Sequence, residues 1–177
     1  MNKITLVLLL ATLTMAGCET MTVPECQVAD WGRVGFADGA RGESDSRLAA
    51  HIESCAQAGV RPNAQAYRQG WDAGIRSFCT AANGWREGVQ GNSSRDSVCR
   101  GQPGFEAFSR YLGAGLQVYR TNEQMRYNAA QANQLQRLLE ESTKDEEKRR
   151  LRYQLREIDR EQYRLRDLLS QQQLYAP

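Results

Sequence analysis

From Asp30 onward, apolar and polar residues recur at helical spacing. The run from Asp30 to Gly39 puts Trp31, Val34, Gly35 and Asp38 on one face. A second helix is predicted to start near Ser44 or Asp45 and to turn Leu48, Ile52 and Cys55 inward. Gly59 stands where a left-handed helix end belongs, followed by apolar Val60. A third helix follows the cap residue Asn63, with Tyr67, Trp71, Ile75 and Phe78 as its stripe and Cys79 at its end. The glycine-rich stretch from Asn83 to Asn92 reads as an ordered loop, and a last element runs from Phe105 through Phe108, Tyr111 and Leu112 to Tyr119.

Beyond this point the pattern changes. Met125, Ala129, Ala132, Leu135, Leu138 and Leu139 recur at helical spacing, and then Glu140 to Arg150 holds no apolar residue. Within that gap Thr143-x-x-Glu146 has the form of a capping box. Leu151, Leu155, Ile158, Gln162, Leu165 and Leu169 then alternate by four and three, a heptad seam with one polar member. The prediction is a helical hairpin with a first arm to Glu141, a turn at Ser142-Thr143 and a second arm to Gln172. The alternative is one long solvated helix bent at the charged gap. The expected class is therefore mainly α: a small disulfide-stapled, Gly/Trp-rich domain over 26–120, then a coiled-coil-like hairpin over 121–173.

The N-terminus carries an address. A basic start with Lys3 is followed by an apolar stretch from Ile4 to Ala16 and then by Met15-Ala16-Gly17-Cys18. That order is a secretory signal, and the cysteine after Ala-Gly resembles a bacterial lipobox. Residues 1–17 are expected to be the lipoprotein signal peptide, with Cys18 as the lipidated N-terminus of a tether over 18–25. The apolar stretch is short of the roughly 20 residues a membrane-crossing helix needs. The expected membrane contact is therefore through acyl chains entering the bilayer. In Gram-negative lipoproteins an Asp after the modified cysteine signals retention at the inner membrane. Here Glu19 follows, which implies the outer membrane, periplasmic face.

Four cysteines remain: Cys26, Cys55, Cys79 and Cys99. An even number in an exported chain reads as two disulfides, with three possible pairings. Antiparallel neighbouring helices favour Cys26–Cys55 and Cys79–Cys99, since the start of one lies beside the end of the next. No Cys-x-x-Cys pair occurs, so neither a metal site nor thiol redox chemistry is expected, and no cofactor is implied. The formal net charge is +2, too small for a large field toward nucleic acid, and the compartment argues further against it. The basic cluster Lys148-Arg149-Arg150-x-Arg152 is interleaved with Asp145, Glu146, Glu147, Glu157, Asp159 and Glu161, which reads as a solvated ion-pair face.

Little in the chain points to a reaction. His51 is the only histidine, and it lies on the core side of the Leu48–Cys55 helix. No Gly-x-Ser-x-Gly elbow is present. Asp30, Asp38 and Asp72 lie near tryptophans, but their spacing selects no catalytic pair. The aromatic set Trp31, Tyr67, Trp71 and Trp85 with Asp38 is a candidate sugar-binding surface, although core packing accounts for the same pattern. Gly70-Trp71-x-x-Gly74 and Gly84-Trp85-x-x-Gly88 suggest faint internal repetition, with Asp30-Trp31 and Gly35 as a looser relative.

The string Cys26-x-x-x-Asp30-Trp31-x-x-x-Gly35-x-x-Asp38-Gly39-x-x-Gly42 is distinctive, as are His51-x-x-x-Cys55 and Tyr67-x-x-Gly70-x-x-x-Gly74 ending at Cys79. With Asn83-Gly84-x-x-x-Gly88-x-x-Gly91 and Cys99, the chain resembles the DUF2799 family of bacterial lipoproteins over roughly Cys26 to Tyr119. That resemblance lends no catalytic residue and supports pairing of the four cysteines. Where the family usually shows a Tyr before the last cysteine, this chain has Ser93-Ser94-Arg95-Asp96. The expected function is a non-catalytic interaction or structural role in the cell envelope. Expected partners are an envelope protein or peptidoglycan, and self-association through the C-terminal helices is a third option. The competing expectation is an envelope enzyme acting on peptidoglycan or sugar through the Asp/Trp cluster.

Overall fold

The computed structural model describes residues 20–177. The expected signal peptide, Cys18 and Glu19 lie outside these described residues. Among these, eight α-helices and one 3-10 turn occur, and no strand. The helices are α1 (Val23–Val28), α2 (Trp31–Ala40), α3 (Arg47–Ala56), α4 (Ala64–Phe78), α5 (Ala81–Val89), α6 (Asp96–Cys99), α7 (Phe105–Glu141) and α8 (Asp145–Gln173).

Local chemistry sets most of the boundaries. Asp30, Asn63 and Thr80 each accept a hydrogen bond from the backbone three residues on, capping α2, α4 and α5. Thr22 and Glu25 form a capping box at the start of α1. Gly59, with φ +65°, turns the chain after α3. Disulfides join Cys26 to Cys55 and Cys79 to Cys99, with Cα–Cα distances of 5.5 Å each. Each closes a loop long enough to stabilise the fold by about 3 kcal/mol on chain-entropy grounds.

The body is built from two helix pairs in backbone contact. In the first, α2 packs on α4: a Cβ added at Gly35 would stand 2.0 Å from the Tyr67 carbonyl oxygen, and one at Gly74 would stand 2.1 Å from that of Phe36. In the second, α5 packs on α7: a Cβ at Gly84 would stand 2.3 Å from the Phe108 carbonyl oxygen, and one at Gly115 would stand 2.5 Å from that of Trp85. No other residue fits these crossings. Phe78 and Phe108, with ring centroids 5.5 Å apart, join the two pairs.

These pairs are two copies of one plan. Gly35, Asp38, Gly39 and Gly42 match Gly84, Glu87, Gly88 and Gly91 in spacing. On the partner helices Tyr67, Trp71, Gly74 and Phe78 match Phe108, Leu112, Gly115 and Tyr119. The contacts match as well. Gly39 meets the Trp71 carbonyl and Gly88 that of Leu112. Gly42 and Gly91, both at positive φ, lie under the rings of Phe78 and Tyr119. The Glu43 N–H donates to the Asp38 carbonyl, and the Asn92 N–H to that of Glu87. Each unit also holds one disulfide, with a basic residue, His51 or Arg95, one turn before its second cysteine.

Five expectations need correction. Ile52, expected to turn inward, stands 47% exposed, because the buried face of α3 runs through Leu48, His51 and Cys55. The stretch 83–92 is not a loop, because α5 occupies most of it and its glycines are spent on the contact with α7. The Gly-Trp-x-x-Gly similarity joined α4 to α5, whereas the true repeat relates α2 to α5 and α4 to α7. The capping box at Thr143 does not form: Lys144 precedes the first helical residue without a side-chain cap, and the Ser142 hydroxyl donates to Glu147 instead. Positions 23–25, placed in the tether, belong to the first turn of α1.

The long C-terminal helical pair is present. Helix α7 runs unbroken for 37 residues, about 55 Å, so position 121 lies inside a helix and not between elements. Beyond the body it forms an arm with α8, which returns along it and packs on no other helix to a comparable extent. Leu151 and Leu165 are buried in the seam, and the Gln162 side chain donates to the Met125 carbonyl at 2.9 Å.

Candidate functional site

The polar centre of the molecule is Asp38. Helix α2 carries it one residue before Gly39, and the close approach of α4 buries it to 1% exposure. Its Oδ2 accepts from the Tyr67 hydroxyl at 2.9 Å and lies 2.7 Å from His51 Nε2. Its Oδ1 accepts from Arg41 Nη2 at 2.5 Å, and Arg47 Nε stands 3.7 Å away. Four basic or hydroxyl groups thus surround one carboxylate, which is how a buried charge is tolerated.

His51 is itself buried at 3% exposure and has Trp31 and Tyr67 as ring neighbours. The carboxylate can only accept, so the Nε2–H donates to it, and Nδ1 faces the opposite way. Thr20 Oγ1 is there, 2.8 Å away. The Thr20 N–H donates to Ser54 Oγ at 3.1 Å, and the two hydroxyls lie 3.2 Å apart. Burial pushes the Tyr67 phenol well above its ordinary range, helped by its hydrogen bond to Asp38.

Thr20, His51 and Asp38 form a hydroxyl–imidazole–carboxylate chain. In order, this is the sequence of groups that activates a nucleophile. Here both inner members are buried, and the outer hydroxyl is tied to Ser54, so every polar atom of the chain is spent inside the protein. The arrangement fixes the segment at Thr20 onto α3.

The other sequence candidates scatter. Asp30 accepts from the Arg33 N–H at 3.1 Å and caps α2. Asp72 is exposed on α4. Of the proposed sugar-binding set, Trp31, Asp38, Tyr67 and Trp71 are buried and Trp85 is half-buried. The Trp71 indole N–H donates to the Glu43 carbonyl at 2.8 Å. Trp31, Asp38, Tyr67 and Trp71 are drawn into the core where α2 meets α4, and Trp85 stands apart on α5. Sequence reasoning missed Thr20, Ser54, Arg41 and Arg47. Arg41 stands three residues after Asp38, a local pair, but Arg47 reaches it from α3, and Thr20 and Ser54 join only through His51, which no local pattern records.

The second unit has a simpler counterpart. Glu87 is 9% exposed. It accepts from Asn92 Nδ2 at 2.8 Å and stands 3.6 Å from Arg95 Nε. Arg95 also donates to the Gly42 carbonyl at 3.2 Å, tying the second unit to the first.

No helix among the described residues is long and apolar enough to cross a membrane. No curated protein and no solved structure matches the chain. One family does: the profile described as "Protein of unknown function (DUF2799)" matches residues 30–117, a span that begins at the cap of α2 and ends inside α7. It takes in both glycine-crossed helix pairs, and over this segment the chain belongs to the DUF2799 family.

Proposed function

We propose that this is an outer-membrane lipoprotein, anchored through Cys18 and facing the periplasm, whose role is to hold or recognise another envelope component without catalysis. The lipobox Met15-Ala16-Gly17-Cys18 and the following Glu19 support the address. Two disulfides suit an oxidising compartment. The non-catalytic part of the reading is supported by the Thr20–His51–Asp38 chain, whose groups are hydrogen-bonded to one another and to Ser54 within the fold.

The observation that carries the interaction reading is the arm. Helix α8 has α7 as its one extensive neighbour, and two helices cannot fully cover a seam of this width. Leu135, Leu139, Leu155, Ile158, Leu168 and Leu169 are left half-buried, and Leu138 is 43% exposed. A partner helix, peptidoglycan strand or second copy of the arm would complete the cover. A photoreactive amino acid at Leu138, irradiated in intact cells, is expected to give a discrete adduct identifiable by mass spectrometry. Labelling at Leu138 no stronger than at exposed Asp72 on the body would overturn the reading.

A further inference from the structure

We propose that helix α1 lies directly on the bilayer surface, with Val23, Pro24 and Val28 against the boundary between headgroups and acyl chains. The inference rests on acylation of Cys18 and says how the body is then held.

The chain has no slack after the anchor. Thr20 is fastened to α3 by three hydrogen-bond contacts, to His51 and Ser54. Met21 packs against the core. The Thr22 N–H donates to Glu25 Oε2 at 2.7 Å, which fixes the start of α1, and the Cys26–Cys55 bridge fixes its far half to α3. The free leash is therefore the two peptide steps from Cys18 to Thr20, at most about 7 Å when extended. The headgroup layer of one leaflet is about 5–8 Å thick, half the difference between the full bilayer and its hydrocarbon core. A leash no longer than that layer leaves no water gap between body and membrane.

What α1 presents suits that position. Val23 is 42% exposed and Val28 is 84% exposed, and Pro24 and Gln27 are also exposed. Residues 20–28 hold no lysine or arginine, and their one acid, Glu25, is turned back onto Thr22. The surface is apolar and nearly uncharged, which fits contact with the apolar boundary of a bilayer and not an electrostatic attachment.

The test uses the full acylated protein in vesicles of phosphatidylethanolamine and phosphatidylglycerol, with a benzophenone amino acid at position 28 or, as controls, at Tyr153 or Tyr163. Irradiation is expected to join phospholipid to position 28 several-fold more than to either control, read by intact mass. The same spectrum reports the acyl groups on Cys18. Equal labelling at all three positions on an acylated chain overturns the seat on the bilayer and leaves the lipoprotein reading standing. A chain without acyl groups overturns both. A second variant inserts a flexible Gly/Ser spacer of about twelve residues between Glu19 and Thr20, with a reach of about 19 Å. Labelling at position 28 is expected to fall while acylation persists. Undiminished labelling would mean that the leash does not set the pose.

Discussion

The two units of the body repeat the same glycine crossings and treat the acid beside them differently. Asp38 is sealed under Tyr67, His51, Arg41 and Arg47. Glu87, at the matching place, has Asn92 and Arg95 at the edge of solvent. Phe108 replaces Tyr67 and Leu112 replaces Trp71, so the second unit closes with no hydroxyl and no imidazole. The plan therefore requires small residues where backbones meet and a carboxylate near the turn, and little else. The elaborate cluster around Asp38 must serve something that the second unit lacks. The structural candidate is Thr20, which only the first unit holds, through His51 and Ser54.

Three measurements would break or sharpen this contrast. The largest effect is expected at the acids. Asp38→Ala strands a buried imidazole and phenol and should cost about 3–5 kcal/mol. Glu87→Ala removes a buried acid whose partners Asn92 and Arg95 are themselves partly exposed, and should cost about 1–2 kcal/mol. Urea denaturation of both variants decides, and equal losses would mean that the two sites do the same work. The glycine crossings come next. Gly35→Ala and Gly84→Ala each force a methyl into a carbonyl oxygen and should each cost about 3 kcal/mol. Gly113 has nothing within 4 Å of its added Cβ, so Gly113→Ala should raise stability by about 0.5–1 kcal/mol. A neutral Gly84→Ala would show that the second pair can part without penalty.

The smallest expected effect is at Tyr67. Its folded phenol titrates above the unfolded one, which ionises near about pH 10. Below that pH both states keep the proton and stability is unaffected by it. As pH rises past about 10, only the unfolded chain releases the proton, so stability falls. Tyr67→Phe copies the second unit at this position. It should cost about 1 kcal/mol at neutral pH and flatten the alkaline limb of a melting-temperature profile. An unchanged limb would show that other tyrosines govern it.

Much of the framework was legible in the sequence. Asn63 announced its cap, Gly59 its turn, and the seam from Leu151 to Leu169 its helix, because each signal is local. The pairings Cys26–Cys55 and Cys79–Cys99 followed from helices that return alongside each other. Helix α5 was not legible: Gly84 and Gly88 inside it weaken an isolated helix by about 1 kcal/mol each, and only contact with α7 explains them. The duplication was hidden for a related reason. What recurs is a set of backbone contacts, while the conspicuous tryptophans at 71 and 85 fall on non-equivalent helices. Position 121 marks a change of composition with no helix breaker near it, so α7 passes straight through. The cluster at Asp38 depends on four separate segments meeting, which no local pattern records.

That unbroken α7 has a mechanical consequence. From Thr121 to its end it extends about 30 Å past the body, with no joint between them. Whatever orients the globular end also aims the far tip at Ser142–Lys144, and a tilt of about 10° would sweep that tip by about 5 Å. The molecule is built as a lever, and the bearing of its tip follows that of its globular end.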